Sequence, residues 1–344
     1  MKKIIGKCLM LALCFAMIGN VADAQAKKKR TVKKRTTAKK TTNSRTKANI
    51  SPAVAADTAV VIAPPPKIDS LPIPVVKKSL RPNDAIERNL VTERTPLAYE
   101  HLREDDAVYR QKVWREIDTR EKMNLPFRYS ANDNNGNQRF ISILFKAIQD
   151  GPDNGGVTVF NAVDDRFTTP MTIAEVAKVV SGGSVSVPIY DSLGNVVGTK
   201  ETVAEVNLDS FYKFHIKEEV IFDKESSRLF WRILGIAPVK NVITSQGVDL
   251  GESELFWVYY PDMRPIFAKF EVYNAKNYGA RMSWEELFES RMFYGRIIKS
   301  TLDNPFDQKL SEQLGLKDSR ILQLLEGENI KDKIFNYEQN LWSY

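Results

Sequence analysis

The chain has 344 residues, 43% of them hydrophobic and 27% charged, which is the composition of a soluble globular body with something appended. Its two cysteines, Cys8 and Cys14, both fall in the first 24 residues, so the rest of the chain has no disulfide, thiol nucleophile or cysteine-held metal. The formal charge of +7 includes +2 from residues 1–24 and +11 from residues 25–50, which leaves −6 on residues 51–344; the body is mildly acidic and the high pI belongs to the tail.

Lys2, Lys3 and Lys7 precede an apolar run from Cys8 to Ile18, and Ala22-Asp23-Ala24 gives a small-x-small cleavage site. This pattern predicts a secretory signal peptide over residues 1–24, too short to span a membrane comfortably. The bulky Leu13 before Cys14 argues against a lipoprotein signal. Residues 25–50 are Lys, Arg, Thr and Ala without periodicity, and residues 51–82 are rich in proline, as at Pro64-Pro65-Pro66. A disordered basic tail followed by a semi-rigid polyproline linker is expected over 25–82, and a single α+β domain over 83–344. Behind a signal peptide the tail's expected anions are peptidoglycan or an anionic envelope surface, and no nucleic acid is expected.

From Arg94 to Tyr129 charge is dense, yet Tyr109, Val113, Trp114 and Ile117 recur at i, i+4, i+5 and i+8. That spacing predicts an amphipathic helix, capped by Asp105 or Asp106 and ended before Pro126. Glu116 with Arg120, and Asp118 with Lys122, sit at helical-neighbour spacing. Gln138–Gln149 predicts a second helix and Val157–Asn161 a short strand. Thr172 and Glu175 form a capping box that opens a third helix, ending at Ser181-Gly182-Gly183. Val185–Tyr190 and Val196–Val206 flank a Gly-Asn turn and read as a hairpin.

From Tyr212 to Phe222 the even positions are apolar except Glu218, and the odd ones carry Lys213, His215, Lys217 and Glu219. This alternation predicts a strand with one solvated face. Arg228–Ile236, Leu255–Tyr260 and Ile266–Val272 read as further strands. Ser283 with Glu286 is a second capping box, and helices are expected to about Phe293, over Phe306–Leu314, and from Asp318 to the end. The fold class is therefore α+β: an antiparallel sheet of four to six strands with N-terminal and C-terminal helices, preceded by a disordered tail.

Catalytic signals are sparse. Neither His101 nor His215 sits in a metal-binding motif, and there is no P-loop, HExxH or nucleophile elbow. Sequence-adjacent acids such as Asp164-Asp165 point apart on a regular element and make no acid–base pair. No enzyme, cofactor, catalytic residue or metal site is expected.

The segment from Arg94 to Tyr129 closely resembles the hallmark region of the GldN/PorN family. Gln138-Arg139-Phe140, Asp164-Asp165-Arg166-Phe167-Thr168 and the run Pro261–Thr301 are also similar, and the resemblance covers about residues 82–344. It implies a non-enzymatic periplasmic subunit of gliding motility and type IX secretion. Such a subunit would pair with a GldK/PorK-like lipoprotein, self-associate in a ring on the inner face of the outer membrane, and couple to the GldL–GldM (PorM-like) motor. The alternative is a periplasmic carbohydrate- or peptidoglycan-binding protein, with the Phe256–Tyr260 aromatics as a stacking platform, or a soluble periplasmic enzyme. Under the leading reading, the arginines left over from helix pairing (Arg110, Arg115 and Arg120) and the strand aromatics Trp257 and Tyr259 are the candidate partner interface.

Overall fold

The computed structural model describes residues 70–81, 85, 94–133, 136–181, 184–190, 196–203, 206–243, 248–277, 279 and 281–342. All of them belong to the unit Ala63–Tyr344. The signal peptide, the basic tail, most of the proline-rich linker and the turn 191–195 lie outside the described residues.

The strands are β1 (Ala107–Asp118), β2 (Asn132–Asp133), β3 (Gly136–Asn137), β4 (Val159–Asn161), β5 (Pro170–Met171), β6 (Ser184–Tyr190), β7 (Val196–Val203), β8 (Lys213–Asp223), β9 (Arg228–Ile243), β10 (Asp249–Glu254), β11 (Phe256–Tyr259) and β12 (Arg296–Ser300). The helices are α1 (Phe140–Asp150), α2 (Ile173–Ser181), α3 (Tyr260–Phe267), α4 (Trp284–Glu289) and α5 (Arg320–Trp342). The main sheet runs β12-β1-β8-β9-β11-β4-β5, with β10 also paired to β9. Its pairings are antiparallel, as are the β2–β3 and β6–β7 hairpins. The class is the expected α+β, but the sheet has eight strands rather than four to six.

The largest correction is at the start. The segment expected to be a helix is β1, and it lies second from one edge of the sheet, between β12 and β8. Val113, Trp114, Arg115, Glu116 and Ile117 are all buried in succession. A strand covered on both faces shows no two-residue alternation, so its apolar residues can mimic helical spacing. The expected pairs also dissolve: Asp118 accepts from Arg120, whereas Glu116 pairs with Arg296 and Lys213.

Two other expectations change. Ile266–Val272 is not a strand; Ile266 and Phe267 end α3, and Pro261 sits in its first turn, where a missing N–H costs nothing. Met263 and Phe267, one helical turn apart, are buried together. Phe306–Leu314 forms turns rather than a helix, with Phe306 and Leu314 exposed. The other helices form where expected. Both capping boxes close: the Thr172 N–H donates to Glu175 Oε2 at 2.8 Å, and the Ser283 N–H donates to Glu286 Oε2 at 2.9 Å.

One face of the sheet carries Ile117, Phe214 and Ile216, which pack with Phe140, Phe267, Trp284 and Phe288 from α1, α3 and α4. Phe127 reaches the same cluster, its ring 4.9 Å from Trp284. Leu71, in the expected linker, is buried there too. Farther along the same strands, Val113 and Val220 pack with Ile297, Leu310, Ile330 and Ile334, which seats α5. Tyr109 stacks on Tyr337 with centroids 4.0 Å apart. The segment 94–100 is pinned by Arg264, which pairs with Glu285 at 2.7 Å and donates to the Leu97 carbonyl.

Gly235 on β9 has a packing reason to be glycine. A Cβ there would lie 2.6 Å from Phe167 Cζ and 3.2 Å from Trp257 Cε3. Phe167 cannot easily yield, being held edge-on by Phe160, Trp257 and Tyr259. Alanine in a strand interior ordinarily improves on glycine. Here Gly235→Ala is expected to destabilise by about 1–3 kcal/mol through overpacking, measured by urea unfolding; a variant as stable as the parent would contradict this packing.

Candidate functional site

The second face of the sheet departs most from expectation. Lys213, His215 and Lys217 on β8 do not face solvent; all three are buried. The register sets Glu116 opposite His215 and Trp114 opposite Lys217. Side chains of Glu252 and Glu254 on β10, Arg296 on β12 and Lys309 pair into this face, so charges that read as a solvated stripe are enclosed.

His215 lies between two carboxylates. Its Nδ1 is 2.8 Å from Glu254 Oε1, and its Nε2 is 3.5 Å from Glu116 Oε2. Glu254 also accepts from Lys309 at 2.8 Å, Glu116 pairs with Arg296 and with Lys213 (3.3 Å), and Lys213 bonds Glu252 at 2.5 Å. Burial opposes charging of His215, but the two carboxylates outweigh it and raise its pKa above 6.5. Burial would likewise raise Glu116, but hydrogen bonds from His215 and Arg296 and the nearby cations bring it down to about 2. Glu254 is held well below the ordinary carboxylate range: burial is outweighed by His215 and Lys309.

Two adjoining clefts open on this face and share Ile298 and Lys309. The larger, about 600 Å³, is bounded by Lys213, His215, Glu252, Arg296, Lys309 and the first turn of α5. The smaller, about 430 Å³, is bounded by Trp114, Asp164-Asp165-Arg166, Lys299 and Asp307. The Trp114 indole donates to Asp165 at 2.8 Å, and Lys217 donates to the Asp165 carbonyl at 2.7 Å. Lys217 also lies over the Trp114 and Phe167 rings, and burial lowers its pKa. The Asp164–Thr168 motif is thus a loop bolted to the sheet. Half-buried Asp164 closes it by accepting from the Arg166 N–H, the Arg166 guanidinium and the Thr168 hydroxyl, which hold its carboxyl down to about 2.

The five candidate interface residues are scattered. Arg110 is half exposed and pairs with Glu219 at 2.7 Å. Arg120 is exposed, paired to Asp118 and stacked over Tyr212. Tyr259 is partly buried against Phe167. Arg115 is 8% exposed and Trp257 2%, so both lie inside the body. Arg115 serves Glu218, the one polar residue on β8's apolar face, at 2.8 Å; Arg291 bonds the same carboxylate at 3.0 Å, and both guanidinium groups lie over Trp231. Phe256, Trp257 and Tyr260 are buried in the core and offer no stacking platform for a sugar. His101 is exposed. Among the described residues, no three His, Cys, Asp or Glu side chains are placed to hold a metal ion. Sequence reasoning missed Glu116, His215 and Glu254. Glu218, an acid on an apolar stripe, signalled only the buried cation of the other face, Arg115.

A family model described as "Gliding motility associated protein GldN" matches residues 102–343, which takes in every strand of the main sheet, both clefts and α5. The chain belongs to the GldN family. Membership makes it an envelope component of the gliding-motility and type IX secretion machinery, in a family of structural components rather than known enzymes. No curated protein matches the chain. Among the described residues, no helix is long and apolar enough to cross a membrane.

The charge network sets a pH window. His215, with its pKa raised, contributes stability that is complete below about 6.5 and lost as pH rises through its folded value. Glu116, with its pKa lowered, contributes stability that is complete above about 4.5 and lost as pH falls towards 2. Thermal melts should therefore peak between about pH 4.5 and 6.5, and His215→Asn should flatten the alkaline limb. An unchanged limb in that variant would contradict the assignment.

Proposed function

We propose that the chain is a non-enzymatic periplasmic subunit of the type IX and gliding machinery. In this reading it is exported by a cleaved signal peptide over residues 1–24. Residues 25–82 link the signal to one assembling domain over residues 83–344, with Leu71 of the linker docked in that domain's core. That domain joins a GldK/PorK-like outer-membrane lipoprotein and further copies of itself in a ring, which couples to a GldM/PorM-like motor subunit. The basic tail, with 11 Lys and Arg and no acid in residues 25–50, has peptidoglycan or an anionic envelope surface as its partner.

The observation that carries this reading is the family match across residues 102–343. Two features of the surface support it. Along α5, Ile321, Leu322, Leu324, Leu325 and Phe335 are exposed while Ile330 and Ile334 face the body, so the helix keeps apolar residues on its outer side. Such a surface favours a protein partner. Repeated heterologous contacts that close make rings. Within the candidate interface, Arg110, Arg120 and Tyr259 carry the proposal, because Arg115 and Trp257 are internal.

The test is co-expression of the mature chain with its lipoprotein partner, followed by envelope purification and sizing by light scattering. The expected result is co-purification in a large assembly. Arg110→Glu with Arg120→Glu should reduce recovery about tenfold while leaving the melting temperature nearly unchanged, since exposed pairs are worth at most about 1 kcal/mol. A strict monomer that never co-purifies with an envelope partner would overturn the reading.

A further inference from the structure

The larger cleft has features that the internal charge network does not use up. Six basic side chains line it, against the carboxylates of Glu116 and Glu252. Arg120, Lys213, Arg296 and Lys309 are each committed to an acid, and His215 to two, Glu254 through Nδ1 and Glu116 through Nε2. Arg320 has no ion-pair partner among the described residues, and it stands in the first turn of α5, where no acidic residue offsets the positive helix end. His215 is 6% exposed and engaged at both ring nitrogens, Nδ1 by Glu254 and Nε2 by Glu116 at 3.5 Å. Asn241 Oδ1, which also lines the cleft, is buried without a donor among the described residues. Buried polar atoms without partners are uncommon and costly, and this one asks for a ligand that supplies a donor.

The chemistry of that ligand follows from the positions. An unpaired guanidinium in the first turn of a helix calls for an oxyanion. Asn241 Oδ1 calls for an N–H donor beside it. Ile297, Ile298, Leu310 and Leu324 give the walls an apolar component suited to small side chains. At about 600 Å³ the cleft is within the usual size of a small-molecule site. A simple inorganic anion would leave Asn241 unpaired, and an uncharged sugar would leave Arg320 unanswered.

We propose that this cleft is a receptor for a short peptide end with a free terminal carboxylate, Arg320 holding the carboxylate and Asn241 accepting from a peptide N–H. Two sources share that chemistry: a cell-wall stem peptide and the C-terminus of a protein. The inference stands apart from ring assembly, because a monomer that never assembles can still bind a peptide.

The experiment is titration calorimetry of the full mature chain with four probes: N-acetyl-Lys-D-Ala-D-Ala, N-acetyl-Lys-L-Ala-L-Ala, and the C-terminal amide of each. At least one acid is expected to bind at least tenfold more tightly than its amide. Tighter binding of the D form assigns the wall as source, and tighter binding of the L form assigns a protein tail. Arg320→Ala should weaken binding at least tenfold with no change in melting temperature, Arg320 being exposed, and Arg320→Lys should restore part of it. Failure of both acids to bind, equal binding of acids and amides, or unchanged binding by Arg320→Ala would overturn the proposal.

Discussion

Arg115 and Glu116 are neighbours on β1, point to opposite faces of the sheet, and are both buried. An isolated buried charge is too costly to keep, so each needs a partner wherever the chain folds. Arg115 finds Glu218 across the β1–β8 ladder, and Glu116 finds Lys213, Arg296 and His215. These partners come from β8 and β12, so the strand pairing and the charge pairing specify each other. A one-residue slip of β1 would send both charges to the wrong faces at once. Two bulges lie at this point: the β8–β9 register shifts between Lys217 and Glu218, and the β1–β12 register shifts between Trp114 and Arg115. Bulges of this kind re-aim side chains, here next to the Arg115–Glu218 pair.

The two faces then diverge. On one, the Arg115–Glu218 pair sits between the large aromatic cluster under α1, α3 and α4 and the smaller cluster under α5. On the other, the charges continue outward from Glu116 through His215 and Glu254 to Lys309 and open into two clefts. β12, the Lys309 segment and α5 link the faces: β12 supplies Arg296 to one and Ile297 to the other. An assembling subunit whose C-terminal helix carries the exposed apolar surface therefore has that helix keyed to the same strands that line the larger cleft.

Much of the architecture was legible in residues with strong local chemistry. The apolar even positions of β8 gave a strand with its core face correctly assigned, and the Thr172–Glu175 and Ser283–Glu286 boxes located α2 and α4. Local pattern failed where tertiary burial reversed its meaning. The Tyr109–Ile117 spacing suits a helix, yet a strand enclosed on both sides is free of alternation. The Pro261–Pro265 segment resembled a turn, yet one proline stands where a helix start tolerates it. Lys213, His215 and Lys217 resembled a wet face because their acids are about 40 to 100 residues away in sequence, on β10 and β1. Pairing over that distance is invisible to periodicity, so the fold class could be read, but the polar clefts and the internal role of Arg115 could not.

The central claim is that Arg115 and Glu218 are held in the sheet by one another. A double-mutant cycle with Arg115→Met and Glu218→Leu, read by chemical denaturation, tests it most directly. Each single substitution leaves a buried charge unpaired and should cost about 3–5 kcal/mol, softened at Glu218 by Arg291, whereas the double replacement should cost far less than the sum of the two. Strictly additive losses, with no coupling between the two positions, would contradict the account.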